Sequence, residues 1–261
     1  MKAVKELLFP VLDAAFRYRD FGSRILVRGL RDELTAQHIL ASATISMHDS
    51  PGKPDDFLLS LAAALIDLCR CEDLPLLRER KAPEWVFCWP GEHYRLLASI
   101  VSLLKPKNIV EIGTSTGLSA LSMLPRLPEG GRICTFDIVP WNRMRDGMGL
   151  ESGSFVLDSD FSDGRVVQAI ANLGSEAAFL EHAAVFRDAD LLFVDGPKDG
   201  VFEYELLRNF ERHRLKDTCL LVLDDIRYLT MLALWRSIDR PKLDFTSFGH
   251  FSGTGLVKWQ C

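Results

Sequence analysis

The sequence lacks any apolar run long enough to cross a bilayer. Even residues 57–69 fall short of the roughly 18 apolar residues required, and Asp67 interrupts them. Residues 1–10 contain Glu6 and have neither a long apolar centre nor a small-residue cleavage site, so they do not resemble a secretory signal. We therefore expect a soluble, cytoplasmic protein without a membrane partner.

Positive charge is not in excess, and the cysteines follow no pattern. The net charge is -5, from 31 basic and 36 acidic side chains, which gives no general attraction to phosphate backbones. Nucleic acid is therefore not an expected partner. The six cysteines show no repeated pair spacing, so we expect reduced thiols and no cysteine metal site.

The pattern of apolar residues divides the chain into two regions. Residues 1–90 show helical periodicity and almost no strand pattern, which predicts a helical N-terminal cap or oligomerisation region. Helical caps of this size commonly make contacts between subunits, so we expect a homo-oligomer, a dimer or larger. Residues 91–261 alternate helical segments with short apolar runs and are predicted to form a second domain.

This alternation predicts an α/β fold with a doubly wound, mainly parallel sheet and helices on both faces. Near the end of the sequence, residues 243–248 and 255–259 flank Ser252-Gly253-Thr254 without room for a helix, which predicts an antiparallel hairpin. The predicted parallel strands are 108–113, 132–138, 166–171, 191–195 and 219–225.

A glycine-containing turn follows the first predicted strand. Gly113 and Gly117 lie in Glu111-Ile-Gly-Thr-Ser-Thr-Gly, where glycine lets backbone N–H groups approach a ligand closely. Asp137 ends the second strand, where an acid can hold a ribose diol. The middle glycine of the dinucleotide fingerprint Gly-x-Gly-x-x-Gly is missing, which disfavours a nicotinamide cofactor.

The run Glu-Ile-Gly-Thr-x-x-Gly-x-Ser resembles the first motif of class I methyltransferases, in particular small-molecule O-methyltransferases related to the catechol and caffeoyl-CoA enzymes. The resemblance implies a seven-stranded, Rossmann-like domain over residues 91–261 that binds S-adenosylmethionine. It also implies that Ser119 contacts the methionine carboxylate, Asp137 holds the ribose and Glu111 orients the loop. The full predicted cofactor-binding set is Glu111, Gly113, Thr114, Ser115, Gly117, Ser119, Asp137 and Asp195.

Acidic residues end two further strands. Asp195 follows one predicted strand, and Asp224 and Asp225 end another. Because the carboxyl ends of parallel strands meet at one edge of a sheet, these acids are expected to converge. Neighbouring carboxylates repel one another unless a cation neutralises them, and oxygen ligands suit Mg²⁺, Mn²⁺ or Ca²⁺.

The spacing Asp195-x-x-Lys198, with a later acidic pair, looks like the pattern of metal-dependent catechol O-methyltransferases. That resemblance implies that Asp195, Asp224 and Asp225 bind a divalent cation, most readily Mg²⁺, and that Lys198 is the general base. Asp225 stands where the catechol enzymes have Asn, and an Asp-Asp pair is instead similar to metal-dependent sugar O-methyltransferases of macrolide and aminocoumarin biosynthesis. The expected acceptor is a hydroxyl of a sugar or polyketide-type natural product, or of a catechol-like phenol.

Other interpretations stay open at this point. His250, near the predicted hairpin turn, is assigned to the catalytic set with Lys198 and Asp195, although a structural role also explains it. His93 and Tyr94 are candidates for the mouth of the cofactor site, and an aromatic wall for the acceptor is conceivable from Trp85, Trp89, Trp141, Met144 and Met148. A structural explanation has the three acids capping loops and helices. Two alternative functions are a metal-independent N- or C-methyltransferase and a noncatalytic module that binds S-adenosylmethionine.

Overall fold

A seven-stranded sheet organises the computed structural model, which describes residues 53–144, 154–213, 219–228 and 230–259. The strand order is β3-β2-β1-β4-β5-β7-β6. Strands β1 to β5 are parallel to their neighbours in this group, and β7 runs antiparallel to both β5 and β6. The strands are β1 Asn108–Ile112, β2 Arg132–Asp137, β3 Val166–Ile170, β4 Leu191–Val194, β5 Cys219–Asp224, β6 Lys242–Asp244 and β7 Thr254–Trp259.

Helices follow most strands and cover both faces of the sheet. One layer packs around Phe179, Phe186, Phe210 and Trp235, and the other lies opposite it. In the described part of the chain the α-helices are α1 Asp56–Cys71, α2 Pro75–Glu79, α3 Tyr94–Leu104, α4 Leu118–Met123, α5 Glu176–Glu181, α6 Ala183–Arg187, α7 Phe202–Arg212 and α8 Met231–Ser237.

The central strands are apolar without alternation because both of their faces are covered. Every residue of β4 and of β5 is buried. In β4, Leu192 and Val194 belong to the core under α5 to α8, whereas Leu191 and Phe193 belong to the core under α1, α3 and α4. The predicted fold class, a doubly wound sheet closed by an antiparallel hairpin, is confirmed.

Helix α1 packs on the sheet although it lies in the predicted N-terminal cap. Leu58, Leu61 and Leu65 point into the same core as β4 and β5. Asp55 accepts a hydrogen bond from the backbone N–H of Leu58 at 3.0 Å, and Lys258 of β7 lies 2.7 Å from its other oxygen. The predicted boundary at residue 90 and the oligomeric role stay predictions, since residues 1–52 lie outside the described ranges.

The strand order reverses between β1 and β4, because the chain runs outwards through β2 and β3 on one side and through β5 on the other. Open α/β sheets bind ligands at the carboxyl ends of the strands at such a reversal. The residues predicted for the site follow β1, β2, β4 and β5, so the fold places them at this edge. None of the helices within the described ranges has the length and apolar character needed to cross a bilayer.

Candidate active site

The loop after β1 is shaped by a glycine that no other residue could replace without strain. Gly113 has φ of 104°, a conformation that side chains disfavour, and its N–H donates to the carbonyl of Phe136 at 2.8 Å. A Cβ on Gly113 would lie 2.2 Å from the carbonyl oxygen of Asp195. The loops after β1 and β4 therefore touch through backbone atoms. Gly117, with φ of 83°, ends the same loop at the start of α4.

Asp137 orders the loops on either side of it. One carboxylate oxygen accepts from the N–H of Ser115 at 2.9 Å, and the other accepts from the N–H of Val139 at 3.0 Å. Beside it opens a cleft of about 760 Å³, lined among others by Gly113, Ser115, Asp137 and Asp195. Four of the residues predicted to bind a cofactor thus share one cavity.

Three other predicted cofactor residues lie behind this cleft. Thr114 is buried, and its hydroxyl is 2.8 Å from that of Thr135 and accepts from Gln168 at 3.0 Å. The buried hydroxyl of Ser119 donates to Glu111. Burial raises the pKa of Glu111 to about 7. The predicted contact of Ser119 with a carboxylate stays a prediction, while in this structure its partner is Glu111.

The predicted base Lys198 joins two of the predicted metal ligands. Its Nζ donates to Asp195 and lies 2.8 Å from an oxygen of Asp225. Burial alone would lower the pKa of Lys198, but the two carboxylates outweigh it and raise that pKa. Without a bound cation Lys198 is therefore an ammonium group and a poor proton acceptor. This differs from the lowered pKa that a general base requires.

Histidines surround the fully buried Asp224. His250 Nδ1 lies 3.1 and 3.0 Å from its two oxygens and 3.3 Å from Asp225. His93 Nδ1 lies 3.4 Å from Oδ1 of Asp224, the oxygen that His250 Nδ1 approaches to 3.1 Å. Burial alone would raise the pKa of Asp224, but the charge of His93 and the hydrogen bond with His250 hold that pKa well below its usual range. The pKa of Asp195 is raised instead, by burial and by the negative charge of Asp224.

Two segments that are distant in sequence bring the histidines together. The N–H of Gly91 donates to the carbonyl of Gly249 at 3.0 Å, and the N–H of Phe251 donates to the carbonyl of Gly91 at 2.8 Å. This pairing sets Glu92 beside His250, with 3.7 Å between a carboxylate oxygen and Nε2. Sequence reasoning placed His93 only at a cofactor mouth and gave Glu92 no role, because no local spacing signals a contact between these segments.

Three groups of side chains could each hold one ion, with ligand atoms within 4.8 Å of one another. They share residues of the cluster around Asp224, and each of them contains a histidine. None of the three groups, which come from the described residues, contains Asp195, Asp224 and Asp225 together. The groups are Glu92-His93-His250, His93-Asp195-Asp224 and Asp224-Asp225-His250.

The segment that carries the three acids of this cluster is similar in sequence to a known protein family. Residues 110–226, which contain the loop after β1 and all three acids, match a family model described as a methyltransferase domain. The match covers fewer than half of the residues of the chain. The strand order, with β7 antiparallel between β5 and β6, is the seven-stranded arrangement that the sequence motif implied.

Curated relatives extend the likeness beyond that family model. The chain is 28% identical over 138 residues to caffeoyl-CoA O-methyltransferase 2 of Petunia hybrida, covering 51% of this chain and 53% of the relative. It is 31% identical over 113 residues to caffeoyl-CoA O-methyltransferase of Pinus taeda, covering 42% and 40%. The chain thus spans about half the length of the curated relatives it matches.

Among solved structures, a methyltransferase from Geobacter sulfurreducens is similar to this chain. The sequence identity is 20%, and the match covers 76% of this chain and 88% of that one with a TM-score of 0.45.

Three of the five non-glycine residues with positive φ in the described part of the chain lie at the site, and the other two are Lys81 and Lys105. Ser115, Lys198 and Asp225 have φ of 44°, 55° and 57°, which non-glycine residues rarely adopt. Such strain is held only where surrounding structure determines it, and it clusters at functional sites. Lys198 is fixed through its backbone, since its N–H donates to Glu203 at 2.8 Å and its carbonyl accepts from Thr230 at 2.9 Å.

The aromatic residues proposed as an acceptor wall are divided between several contacts. Trp141 stacks on Phe161 at 5.3 Å, and Trp89 donates through Nε1 to the carbonyl of Phe248 at 2.7 Å. Met144 lines the cleft, whereas Met148 lies outside the described residues. The aromatic wall stays a prediction of the sequence.

Proposed function

We propose that this protein transfers a methyl group from S-adenosylmethionine to a hydroxyl oxygen of a small molecule, assisted by a divalent cation. The observation that carries the proposal is the position of Asp195. Its loop lines the cleft beside Gly113 and Asp137, and its carboxylate also belongs to the cluster with Lys198, Asp224 and Asp225. A nucleoside site and a chemical site therefore meet at one residue.

The cleft suits a nucleoside such as that of S-adenosylmethionine. Its volume of about 760 Å³ is within the range of small-molecule sites. The carboxylate of Asp137 is at the cleft, where it can accept hydrogen bonds from a ribose diol. The absence of a Cβ at Gly113 keeps the loops after β1 and β4 in contact, which leaves the backbone close to a bound ligand.

The acidic cluster suits a divalent cation by its donor atoms. Lys198 pairs with Asp195 and Asp225, and His93 and His250 pair with Asp224, so a divalent cation would take over the positive charge that these side chains supply. Carboxylate oxygens are ligands for Mg²⁺, and Mn²⁺ and Ca²⁺ are accepted by the same donors. A divalent cation held there supplies positive charge that favours loss of the proton from a nearby acceptor hydroxyl.

The residues of the chain then have separate roles in the transfer. Asp137 and the Gly113 loop would hold the donor in the cleft, which Asp195 also lines. The acceptor oxygen forms a bond with the methyl carbon, the carbon–sulfur bond breaks, and the hydroxyl proton passes to Nζ of Lys198. A cation held by Asp195 and Asp225 would remove the cause of the raised pKa of Lys198, and Lys198 could then accept that proton.

The acceptor class follows from the same arrangement. A cation bound beside the cleft favours a hydroxyl with a neighbouring oxygen that can share the ion. Such acceptors are vicinal diols of a sugar or polyketide-type natural product, or catechol-like phenols. The curated relatives are named for O-methylation of caffeoyl-CoA, which supports oxygen as the methyl acceptor.

Calorimetric titration tests the proposal. The EDTA-treated protein is titrated with S-adenosylmethionine and then with Mg²⁺ or Mn²⁺, in parallel with Asp224→Ala and with the surface control Asp163→Ala. We expect all three proteins to bind the donor and only Asp224→Ala to lose the ion. Transfer of a labelled methyl group to vicinal diols and catechols is expected to stop with EDTA. A protein that does not bind the donor would overturn the proposal.

A second candidate is a metal-independent methyltransferase acting on nitrogen or carbon. One observation favours it: Lys198 already pairs with both Asp195 and Asp225, so these acids are partly neutralised without an ion. In that case methyl transfer to an amine panel would continue unchanged in EDTA.

A further inference from the structure

The side chain of His93 is buried, and one ring nitrogen has only a long contact with an acid. The residue is 4% exposed, and its ring packs against Tyr94 at 4.4 Å and Phe193 at 5.2 Å. Within the described residues, Nδ1 has no hydrogen-bond partner, although it lies 3.4 Å from Oδ1 of Asp224. A buried ring nitrogen held by one long contact can coordinate a cation once its proton has left.

The neighbours of His93 are two of the acids already assigned to the cation. Ligand atoms of His93, Asp195 and Asp224 all lie within 4.8 Å of one another, a spacing at which one ion can contact all three. The oxygen-only set predicted from sequence does not form such a group, because Lys198 lies between Asp195 and Asp225. The compact arrangement therefore contains an imidazole.

We propose that His93 is a nitrogen ligand of the cation site, together with Asp195 and Asp224, and that the site selects a first-row transition ion over Mg²⁺. This inference rests on the cation of the proposed function and specifies its chemistry. Imidazole suits iron, cobalt, nickel and zinc, whereas Mg²⁺ and Ca²⁺ prefer oxygen ligands alone. A single buried histidine thus changes which ion the acids hold.

The surroundings permit an ion to reach His93. The side chain of Asp195 is 27% exposed and its residue lines the cleft, whereas the side chains of His93 and Asp224 are 5% and 2% exposed. An ion entering through the cleft meets Asp195 first and the two buried ligands behind it. His250 is the competing nitrogen ligand, but its Nδ1 already contacts Asp224, Asp225 and Ser252.

The experiment measures the affinity and the coordination of the bound ion, and it does not depend on turnover. The EDTA-treated protein is titrated with Co²⁺ and with Mg²⁺, following cobalt absorption bands and heat. Pulsed electron paramagnetic resonance of the Mn²⁺-loaded protein detects coupling to nitrogen nuclei of a coordinated imidazole. The variants are His93→Gln, His250→Gln and the distant control His213→Gln, whose histidine contacts Glu176 on the surface.

We expect nitrogen coupling in the unmodified protein and in His213→Gln, and its loss in His93→Gln. Co²⁺ affinity is expected to fall on the order of 100-fold in His93→Gln, while Mg²⁺ affinity changes by less than about threefold. The coupling in the unmodified protein needs no variant, so a His93→Gln protein that fails to fold does not remove the test.

Three results would overturn the inference. Ion binding without nitrogen coupling would show oxygen ligands only and would leave the cation of the proposed function intact. Coupling that disappears in His250→Gln but persists in His93→Gln would assign the ligand to His250. A protein that binds none of the three ions would remove both the inference and the cation of the proposed function.

Discussion

The proposed site has two ends that are built in different ways. The nucleoside end is the loop after β1 with Asp137, and the chemical end is the group of Asp195, Lys198, Asp224 and Asp225 with the two histidines. The nucleoside end depends on backbone geometry, since Gly113, Ser115 and Asp137 interact through N–H groups, a carbonyl and the missing Cβ of a glycine. The chemical end depends on side chains from segments that are distant in sequence, with His93 and His250 both in contact with Asp224. Changes at the first end should therefore alter donor binding, whereas changes at the second should alter ion binding and turnover.

The largest expected effect is at the point where the two ends touch. Gly113→Ala places a methyl group 2.2 Å from the carbonyl oxygen of Asp195 at an unfavourable φ, so we expect a loss of about 4 kcal/mol of folding stability and no donor binding. Gly130→Ala is the matched control, because its φ is 72° and nothing lies within 4 Å of its Cβ. It should lose only about 1 kcal/mol. Urea unfolding measures both, and equal losses would show that contact between the loops is unimportant.

A pH-dependent effect comes from Glu111, behind the nucleoside end. Burial raises its pKa to about 7 from an ordinary value of 4.5, so the unfolded chain loses this proton first as pH rises. The free energy of unfolding of the ion-free protein should therefore fall between pH 4.5 and pH 7, by up to about 3 kcal/mol from this group. Glu111→Gln removes the effect and should be the more stable protein at about pH 8 but not at about pH 4. Denaturant unfolding at both pH values checks this, and parallel pH curves would contradict it.

A substitution of Lys198 is expected to change ion affinity and turnover in opposite directions. Lys198→Met removes the proton acceptor and also the cation that pairs with Asp195 and Asp225. Turnover should fall about 100-fold while ion affinity rises about tenfold, and donor affinity should not change. Steady-state kinetics and calorimetry measure these quantities, with the exposed Lys107→Met as control. A fall in ion affinity would mean that Lys198 supports the site and does not compete with the ion.

The smallest expected effect tests whether donor binding is independent of ion binding. Asp137→Asn keeps one acceptor for the N–H of Ser115 or Val139 but loses the charge that a ribose diol prefers. Donor affinity should fall about tenfold, which is about 1.4 kcal/mol, with ion affinity unchanged. Calorimetric titration with each ligand decides this, and a change in ion affinity would show that the two ends are coupled.

The positions of the loop after β1 and of Asp137 could be predicted from the sequence because their determinants are local, while their contacts with a donor stay predictions. A strand, a glycine turn and an acid at the end of the next strand follow one another within one stretch of chain, and Gly113 and Asp137 lie where that pattern placed them. The acids at the ends of β4 and β5 were predictable for the same reason. Thr114 and Ser119 were less so, since the motif does not reveal which face of the loop is buried.

The histidine cluster was not predictable because it depends on a non-local contact. His93 reaches Asp224, and Glu92 reaches His250, only when the backbone of Gly91 pairs with Gly249 and Phe251, and no residue spacing marks that pairing. The raised pKa of Lys198 was missed for a related reason. Its sign depends on two carboxylates, one of which, Asp225, comes from another strand end.

The position of β7 has a consequence for the order in which the site is completed during synthesis. Strands β1 to β4 and the loop of Gly113 are all translated before residue 200, whereas His250 and β7 follow much later in the chain. While these later residues are missing from a nascent chain, Asp224 lacks His250 and Gly91 lacks its pairing partner. The histidine contacts of Asp224 are therefore completed only after this later part of the chain has been made.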